Sequence, residues 1–216
     1  MNRRDFSAQL VGLGLGTAAL SAGLPAQAQG APVEGKQYVR LGTLAPVNAP
    51  AGKIEIVEFF WYNCPHCSAF EPTLDAWAKS LPADIAFRRV PVAFREAYAP
   101  QQQTFYALEA LGKVDTLHRR VFYAIHNDRQ RLEKPDDIAA FMEKNGIPKA
   151  QFLEVFNSFS VQTKAKQATR LADAYKIDGV PAMGIHGRFF TSGTLAGSPE
   201  KALQVTEYLI KTLRKS

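Results

Sequence analysis

Cys64 and Cys67 are the residues of this chain whose type and spacing most directly suggest chemistry. They are the only two cysteines among 216 residues, and Pro65 and His66 separate them. The apolar run of residues 54–60 precedes them and predicts a buried strand, and residues 68–80 have the pattern of a helix. A C-x-x-C pair at a strand-to-helix junction is typical of a redox-active dithiol. The sequence therefore predicts thiol–disulfide chemistry here.

Other uses of a cysteine pair fit this sequence poorly. A zinc site needs about four ligands, but the chain has no second C-x-x-C and no H-x-x-x-H among its four histidines. Haem attachment needs C-x-x-C-H, and Ser68 follows Cys67. A structural disulfide across only two intervening residues would constrain the unfolded chain little. We therefore expect no metal, and no cofactor other than the redox-active disulfide Cys64–Cys67.

The position of the motif predicts different roles for its two sulfurs. Cys64 would lie at the N-terminus of the following helix, where free N–H groups and the helix dipole stabilise a thiolate. Pro65 suits the first helical turn, where its missing N–H costs nothing. A cationic His66, or one that donates an N–H to the sulfur, would add further stabilisation. Stabilising the reduced, charged form makes the disulfide an oxidant. Cys67, about one turn further on, is expected to be shielded and to act as the resolving thiol.

Two carboxylates and a proline elsewhere are candidate functional residues, each with a plainer alternative. Glu58 interrupts the apolar run and is either a buried carboxylate with a raised pKa or an exposed strand position. Glu71 is by default an exposed helical charge. Val180-Pro181 follows Asp178-Gly179 at the start of a predicted strand, and its peptide bond is either cis or an ordinary trans bond.

The remaining elements predict a strand–helix–strand unit, a helical insertion and a β-hairpin followed by a helix. A second strand is predicted at residues 85–92, and a short edge strand at residues 38–41. Helical periods without strands follow from about residue 98 to residue 175. Strands return at residues 180–185 and 189–191, and a last helix begins near Ser198-Pro199. We divide the chain into an export signal (1–28), a first part (29–97), an insertion (98–175) and a second part (176–216).

The first 28 residues have the composition of an export signal. Arg3-Arg4 precede a glycine- and leucine-rich apolar stretch, and Ala26-Gln27-Ala28 is an A-x-A cleavage site. The apolar stretch is too short to span a bilayer comfortably. The net charge of +6 is spread along the chain, in pairs such as Arg88-Arg89. We interpret these charges as solvated helix faces and expect no nucleic-acid partner.

Three segments together resemble the DsbA family of bacterial periplasmic thiol:disulfide oxidoreductases. They are Glu58-Phe59-Phe60, Cys64-Pro65-His66-Cys67 and Gly179-Val180-Pro181-Ala182-Met183. The resemblance covers nearly all of the chain after the signal, and it implies a thioredoxin-like α/β fold with an inserted all-helical subdomain. Ser68 and Ala69 stand where some members carry larger residues, and the twin-arginine-like leader is unusual for the family.

The resemblance also implies roles for residues and partners. Cys64 would be the exposed sulfur that forms the mixed disulfide, Val180 and Pro181 would hold extended substrate chains opposite it, and Glu58 and Glu71 would be acidic positions near the buried cysteine. The implied partners are reduced, unfolded exported proteins and a membrane quinone-linked reoxidase of the DsbB type. We expect a monomer in the periplasm, after cleavage near Ala28.

The leading hypothesis is an oxidase that donates the Cys64–Cys67 disulfide through a mixed disulfide at Cys64. A reductase or isomerase is the nearest rival from the same class. A non-catalytic binding protein or chaperone, using the apolar surface around Trp61, Tyr62 and the Pro181 loop, is the rival from another class.

Overall fold

The computed structural model describes residues 30–215. The predicted export signal (1–28) and its cleavage site near Ala28 lie outside the described residues. Within residues 30–215, no helix combines the length and the apolar character needed to cross a membrane.

A five-stranded mixed sheet forms the centre of the fold. Its strands are β1 (Val39–Arg40), β2 (Ile54–Phe60), β3 (Ile85–Pro91), β4 (Ala182–Ile185) and β5 (Phe189–Ser192). The order across the sheet is β1-β5-β4-β2-β3, with β2 and β3 parallel and the other pairs antiparallel. Strand β2 is covered on both faces, which explains its almost continuous apolar sequence.

Helices fill the connections in the predicted order. Helix α1 (Pro65–Lys79) joins β2 to β3, and a short 3₁₀ helix at Glu96–Tyr98 follows β3. Five helices then precede β4: α2 (Ala99–Ala110), α3 (Val114–His126), α4 (Pro135–Lys144), α5 (Lys149–Phe156) and α6 (Phe159–Ala174). After β5 come α7 (Gly193–Ala196) and α8 (Pro199–Leu213). The predicted parallel crossover and the later hairpin are both confirmed.

Two boundaries near the cysteine motif and its partner segment, and one short helix, differ from the sequence prediction. Helix α1 begins at Pro65, as expected for a first-turn proline, and not at residue 68 where its apolar pattern starts, so the second half of the C-x-x-C motif is itself helical. Strand β4 begins at Ala182, which places Val180 and Pro181 in the turn before the strand. Helix α7 was not predicted, because four residues are too few to show a helical period.

Buried side chains form two hydrophobic cores. One core packs the sheet against helices α2–α6, and its members include Phe59, Phe60, Phe105 and Phe152. The other packs the sheet against α1 and α8, and includes Ile56, Leu74 and Leu209. The two cysteines belong to the first core. The cysteine motif is therefore held by the contact between the sheet and the helical segment.

Candidate active site

Cys64 caps the N-terminus of α1 with its own sulfur. Its backbone is extended, and its Sγ accepts a hydrogen bond from the backbone N–H of Cys67 at 3.4 Å. Pro65 occupies the first helical turn. Both cysteines are free thiols, so the structure shows the reduced form. The local sequence thus places a sulfur where the unpaired N–H groups of a helix converge.

The environment separates the proton affinities of the two sulfurs. The pKa of Cys64 is lowered to about 6, chiefly by a hydrogen bond with the Cys67 thiol, then by the backbone N–H groups of Cys67 and His66, and least by the charge of His66; burial opposes these effects. Burial raises the pKa of Cys67 far above its ordinary value, and its hydrogen bond to Cys64 adds to the rise. At neutral pH Cys64 is therefore the sulfur that carries the negative charge.

Two features of the motif differ from the sequence expectation. The resemblance implied an exposed Cys64 sulfur, but the residue is only 6% exposed, against 1% for Cys67. Neighbouring chain covers it, including Val180. Pro65 and His66 are the exposed residues of the motif. The contribution of His66 to the thiolate comes more from its backbone N–H than from its charge.

Val180 and Pro181 lie opposite the first cysteine. The Cys64 thiol donates to the carbonyl oxygen of Val180 at 3.4 Å. The Val180–Pro181 peptide bond is cis, which resolves the alternative that the sequence left open. The structure therefore brings the two distant segments of the sequence together at one sulfur.

Glu58 lies in the interior of the sheet. Its register partners are Arg89 on β3 and Met183 on β4. Burial and, to a smaller extent, the charge of Glu71 raise the pKa of Glu58 to about 8, against the opposing effect of Arg89. The charge of Glu58 in turn raises the pKa of Cys67. The alternative of an exposed strand position is wrong, and Glu58 is placed where its proton can affect the second cysteine.

The default expectation of an exposed Glu71 is also wrong. Glu71 is 3% exposed, and its Oε1 accepts a hydrogen bond from Arg89 at 2.8 Å. The Nε of Arg89 also lies 3.3 Å from Oε2 of Glu58. The face of α1 that carries Glu71 is turned toward β3, since Asp75, one turn further on, lies 3.8 Å from the same Arg89. One guanidinium thus lies between two buried carboxylates.

Arg89 and His118 are members of this site that the sequence interpretation missed. Arg89 was counted among solvated helix charges, but it lies on β3 with its side chain largely buried. Its place in an apolar strand parallel to Glu58 was the available signal. His118 lies 3.4 Å from Glu71 through its Nε2 and 2.8 Å from the Tyr62 hydroxyl through its Nδ1. No spacing rule connects residues 62, 71 and 118.

A cavity of about 180 Å³ between α1 and α3 reaches this cluster. Ser68, Glu71 and Pro72 line it from α1, and Arg119 and Tyr123 line it from α3. A larger cavity, of about 490 Å³, lies beside β3 and α6, and neither cysteine lines it. Among residues 30–215, no group of three or more histidine, cysteine or acidic side chains is arranged to hold a metal ion.

Comparisons with known proteins agree with this geometry. Residues 55–201 match the family model for the DSBA-like thioredoxin domain. The chain is 46% identical over 182 residues to the thiol:disulfide interchange protein DsbA of Azotobacter vinelandii, covering 84% of this chain and 85% of that protein. It is 44% identical to the Bordetella pertussis protein of the same name, over 100% of each chain.

Solved structures show the same likeness. The crystal structure of Pseudomonas aeruginosa DsbA is 41% identical, with a TM-score of 0.81 over 85% of this chain and 95% of that chain. The oxidoreductase DsbA from Xylella fastidiosa is 32% identical, with a TM-score of 0.79 over 86% of this chain and 99% of that one. These similarities confirm the thioredoxin-like fold.

Proposed function

Because this chain belongs to the DSBA-like thioredoxin domain family, whose members are thiol:disulfide oxidoreductases, we propose that it oxidises the thiols of exported proteins with the Cys64–Cys67 disulfide. The family uses a redox-active disulfide and no metal. The observation that carries the proposal is the placement of the two sulfurs: Sγ of Cys64 caps α1 and accepts the N–H of Cys67, whereas Cys67 is buried. This placement lowers the pKa of Cys64 to about 6 and raises that of Cys67 far above its ordinary value.

The first step is attack by a substrate thiolate on Sγ of Cys64. The bond between the two enzyme sulfurs breaks, and its electron pair goes to Cys67. A thiolate at Cys67 is disfavoured by burial, so it takes a proton, and Glu58 is the acid that we assign to supply it. A buried carboxyl with a pKa of about 8 is protonated at neutral pH and can give and regain a proton.

The second step releases the substrate. A second substrate thiolate attacks the substrate sulfur of the mixed disulfide, and Cys64 leaves as a thiolate. Its lowered pKa makes it a good leaving group, because low-pKa thiols leave faster. The substrate gains a disulfide, and the enzyme keeps two electrons as one thiolate and one thiol.

We assign to the backbone carbonyl of Val180 a role in binding the substrate chain. This carbonyl accepts the Cys64 S–H when that thiol is protonated, but Cys64 has no hydrogen to donate either as the thiolate of the reduced form at neutral pH or in the disulfide. The carbonyl is then available to an N–H of an extended substrate chain, which is the backbone pairing used in strand addition. With Pro181 next to it, this segment forms the wall opposite the sulfur.

The finer assignments form part of the same proposal. Members of the family act on reduced exported proteins and are reoxidised by DsbB. We assign to this chain unfolded substrates, a quinone-linked partner of the DsbB type, and a monomeric state. We also assign to it a signal at residues 1–28, the periplasm as its location, and a helical insertion at residues 98–175.

The redox equilibrium of the full mature chain with glutathione tests the direction of electron flow. We expect a potential well above the value of about −270 mV that is typical of thioredoxin. A value near thioredoxin's would overturn the oxidase and favour a reductase. Cys64→Ala separates catalysis from simple binding, because a variant that still oxidised reduced substrates at the normal rate would exclude the mechanism above. Cys67→Ala is the matched variant, and it should trap mixed disulfides at Cys64.

A further inference from the structure

Helix α3 contacts the segment before the cysteines through two histidines on one face. Nδ1 of His118 is 2.8 Å from the hydroxyl oxygen of Tyr62. Nε2 of His126 is 2.8 Å from the backbone carbonyl oxygen of the same tyrosine. The two histidines are eight residues apart, about two helical turns, so they lie on the same side of α3. Both ends of Tyr62, two residues before Cys64, are therefore held by α3.

Of these two histidines, only His118 also lies close to a buried carboxylate, that of Glu71. Its Nε2 lies 3.4 Å from Oε2 of Glu71, and neither of these two buried atoms makes a well-aligned hydrogen bond, to the other or to any other group. His118 is 4% exposed. Its ring lies against three phenylalanine rings, with centroid distances of 5.1 to 5.6 Å: Phe60, Phe105 and Phe122. In this apolar setting the imidazole is neutral, and burial lowers its pKa.

The contacts of a neutral imidazole select one tautomer. Such a ring has one N–H donor and one acceptor nitrogen. Tyr62 can donate its hydroxyl proton to Nδ1 of His118, which leaves the ring N–H at Nε2, directed at Glu71. The other tautomer would place a nitrogen lone pair against a carboxylate oxygen, which is repulsive. The order of donors therefore runs from Tyr62 through His118 to Glu71.

This donor acts on a pair of carboxyl groups that share one cation. Glu58 on β2 and Glu71 on α1 both face Arg89 on β3, at 3.3 Å and 2.8 Å. Asp75, one turn further along α1, is the other nearby carboxylate, 3.8 Å from Arg89. Two buried carboxylates beside one guanidinium disfavour double ionisation, so one of them holds a proton. Which one holds it depends on the other hydrogen-bond donors.

We propose that His118 is a positioning residue that directs its Nε2–H at Glu71 across 3.4 Å, keeps that carboxylate ionised, and thereby keeps the shared proton on Glu58. The inference rests on the proposed function for its significance, because the proton on Glu58 is the one that Cys67 takes when it leaves. The helical segment then takes part in thiol exchange without touching a reacting atom. Tyr62 has the supporting task of fixing the tautomer of His118.

Three substitutions at His118 separate its two contacts. His118→Phe removes the contacts to both Tyr62 and Glu71 and replaces the imidazole with an apolar ring that can pack against the surrounding phenylalanines. His118→Asn keeps a polar atom near the Nδ1 position, facing Tyr62, and cannot reach Glu71. His118→Gln places an amide N–H near the Nε2 position, facing Glu71. A matched control is His126→Gln, which alters the other contact to Tyr62 and does not face the carboxylates.

The measurement is a pH titration of the Glu58 carboxyl by carbon-13 NMR on the reduced mature protein, with Glu58→Gln used to assign its signal. A hydrogen bond to a charged group is worth about one to two pH units, and the 3.4 Å contact to Glu71 is expected at the lower end of that range. We therefore expect Phe or Asn at position 118 to lower the titration midpoint of Glu58 by about one unit. We expect the Gln variant and the His126→Gln control to keep the unmodified midpoint. The pH profile of substrate oxidation should shift in the same direction.

Two results would overturn the inference. One is a folded His118→Asn variant whose Glu58 titrates as in the unmodified protein. The other is a shift in the His126→Gln control as large as in the Asn variant, since the effect would then pass through Tyr62 alone. The Asn and Gln variants decide the matter even if the Phe variant fails to fold. Because the titration does not depend on the redox potential, its failure is distinguishable from a failure of the oxidase assignment in the glutathione equilibrium.

Discussion

Replacing His66 with glutamine removes the only side chain between Cys64 and Cys67 that can carry a positive charge. A simple electrostatic reading of the sequence would make this charge the main reason for a stable thiolate. The structure orders the causes differently, because the thiol of Cys67 and two backbone N–H groups lower the pKa of Cys64 more than the charge of His66 does. We therefore expect His66→Gln to have a smaller effect on the Cys64 pKa than Cys67→Ala.

The size of each effect follows from the total shift. A pKa lowered from 9.0 to about 6 corresponds to about 4 kcal/mol in favour of the thiolate. This is an upper limit, because solvent near the helix N-terminus screens the interaction. As the smallest of four lowering effects, the His66 charge accounts for less than about one pKa unit, or less than about 30 mV of redox potential. Loss of the Cys67 thiol should raise the pKa of Cys64 by more than about one unit.

The assay is the ultraviolet absorbance of the thiolate as a function of pH, repeated as the pH dependence of alkylation at Cys64. The oxidised protein, which has no thiolate, supplies the baseline. A rise of two units or more in His66→Gln would refute this order of causes. So would an unchanged Cys64 pKa in Cys67→Ala.

Three further results are expected. The reduced protein should gain stability over the oxidised form as the pH rises from 6 to 9, because folded Cys64 ionises near pH 6 and an unfolded thiol only near pH 9. The gain in the free energy of unfolding is at most about 4 kcal/mol before screening, and it disappears as the pH falls through 6. Urea unfolding of both forms at each pH measures it. Arg89→Met should lower the free energy of unfolding by about 3–5 kcal/mol at pH 8, because the negative charge shared by buried Glu58 and Glu71 loses its cation. A loss of equal size at pH 5, where both carboxyl groups can be protonated, would contradict this account. Gly184→Ala should lower the free energy of unfolding by about 1–3 kcal/mol, because a Cβ there would lie 2.7 Å from Cε1 of Tyr175. An unchanged midpoint of thermal unfolding would contradict this and show that the tyrosine ring can move aside.

The order of the helices and strands was predictable from the sequence, because most of these elements have a recognisable pattern of apolar, capping or turn residues within a few positions. Strand β2 is apolar apart from Glu55 and Glu58, and α8 begins with the Ser198 cap and Pro199, so each element is recognisable within a few residues. The apolar pattern alone puts the start of α1 at residue 68, because the first helical turn consists of Pro65, His66 and Cys67, which show no apolar period; the expectation of Pro65 in the first turn is confirmed. Short elements such as α7 carry too little pattern to be predicted.

The candidate site was predictable only where chemistry is tied to spacing along the chain. The cysteine pair and the Val180–Pro181 segment have such signatures. Arg89 became recognisable only through its register opposite Glu58, which depends on the pairing of β2 with β3. His118 is brought in by the packing of α3 on α1 and Tyr62, and sequence distance does not encode that contact.

The core shared by the sheet and the helical segment bears on how the protein unfolds. Phe60 on β2 packs against Phe105 of α2 and Phe122 of α3, and residues 31–216 form a single compact unit. Removing the helical segment would expose the aromatic face on which the cysteines rest, so the sheet has no complete core of its own. Thermal unfolding should accordingly occur as one cooperative transition. A shortened protein that kept only the strands with α1 and α8 should be unfolded, and its Cys64 should have the reactivity of an ordinary thiol.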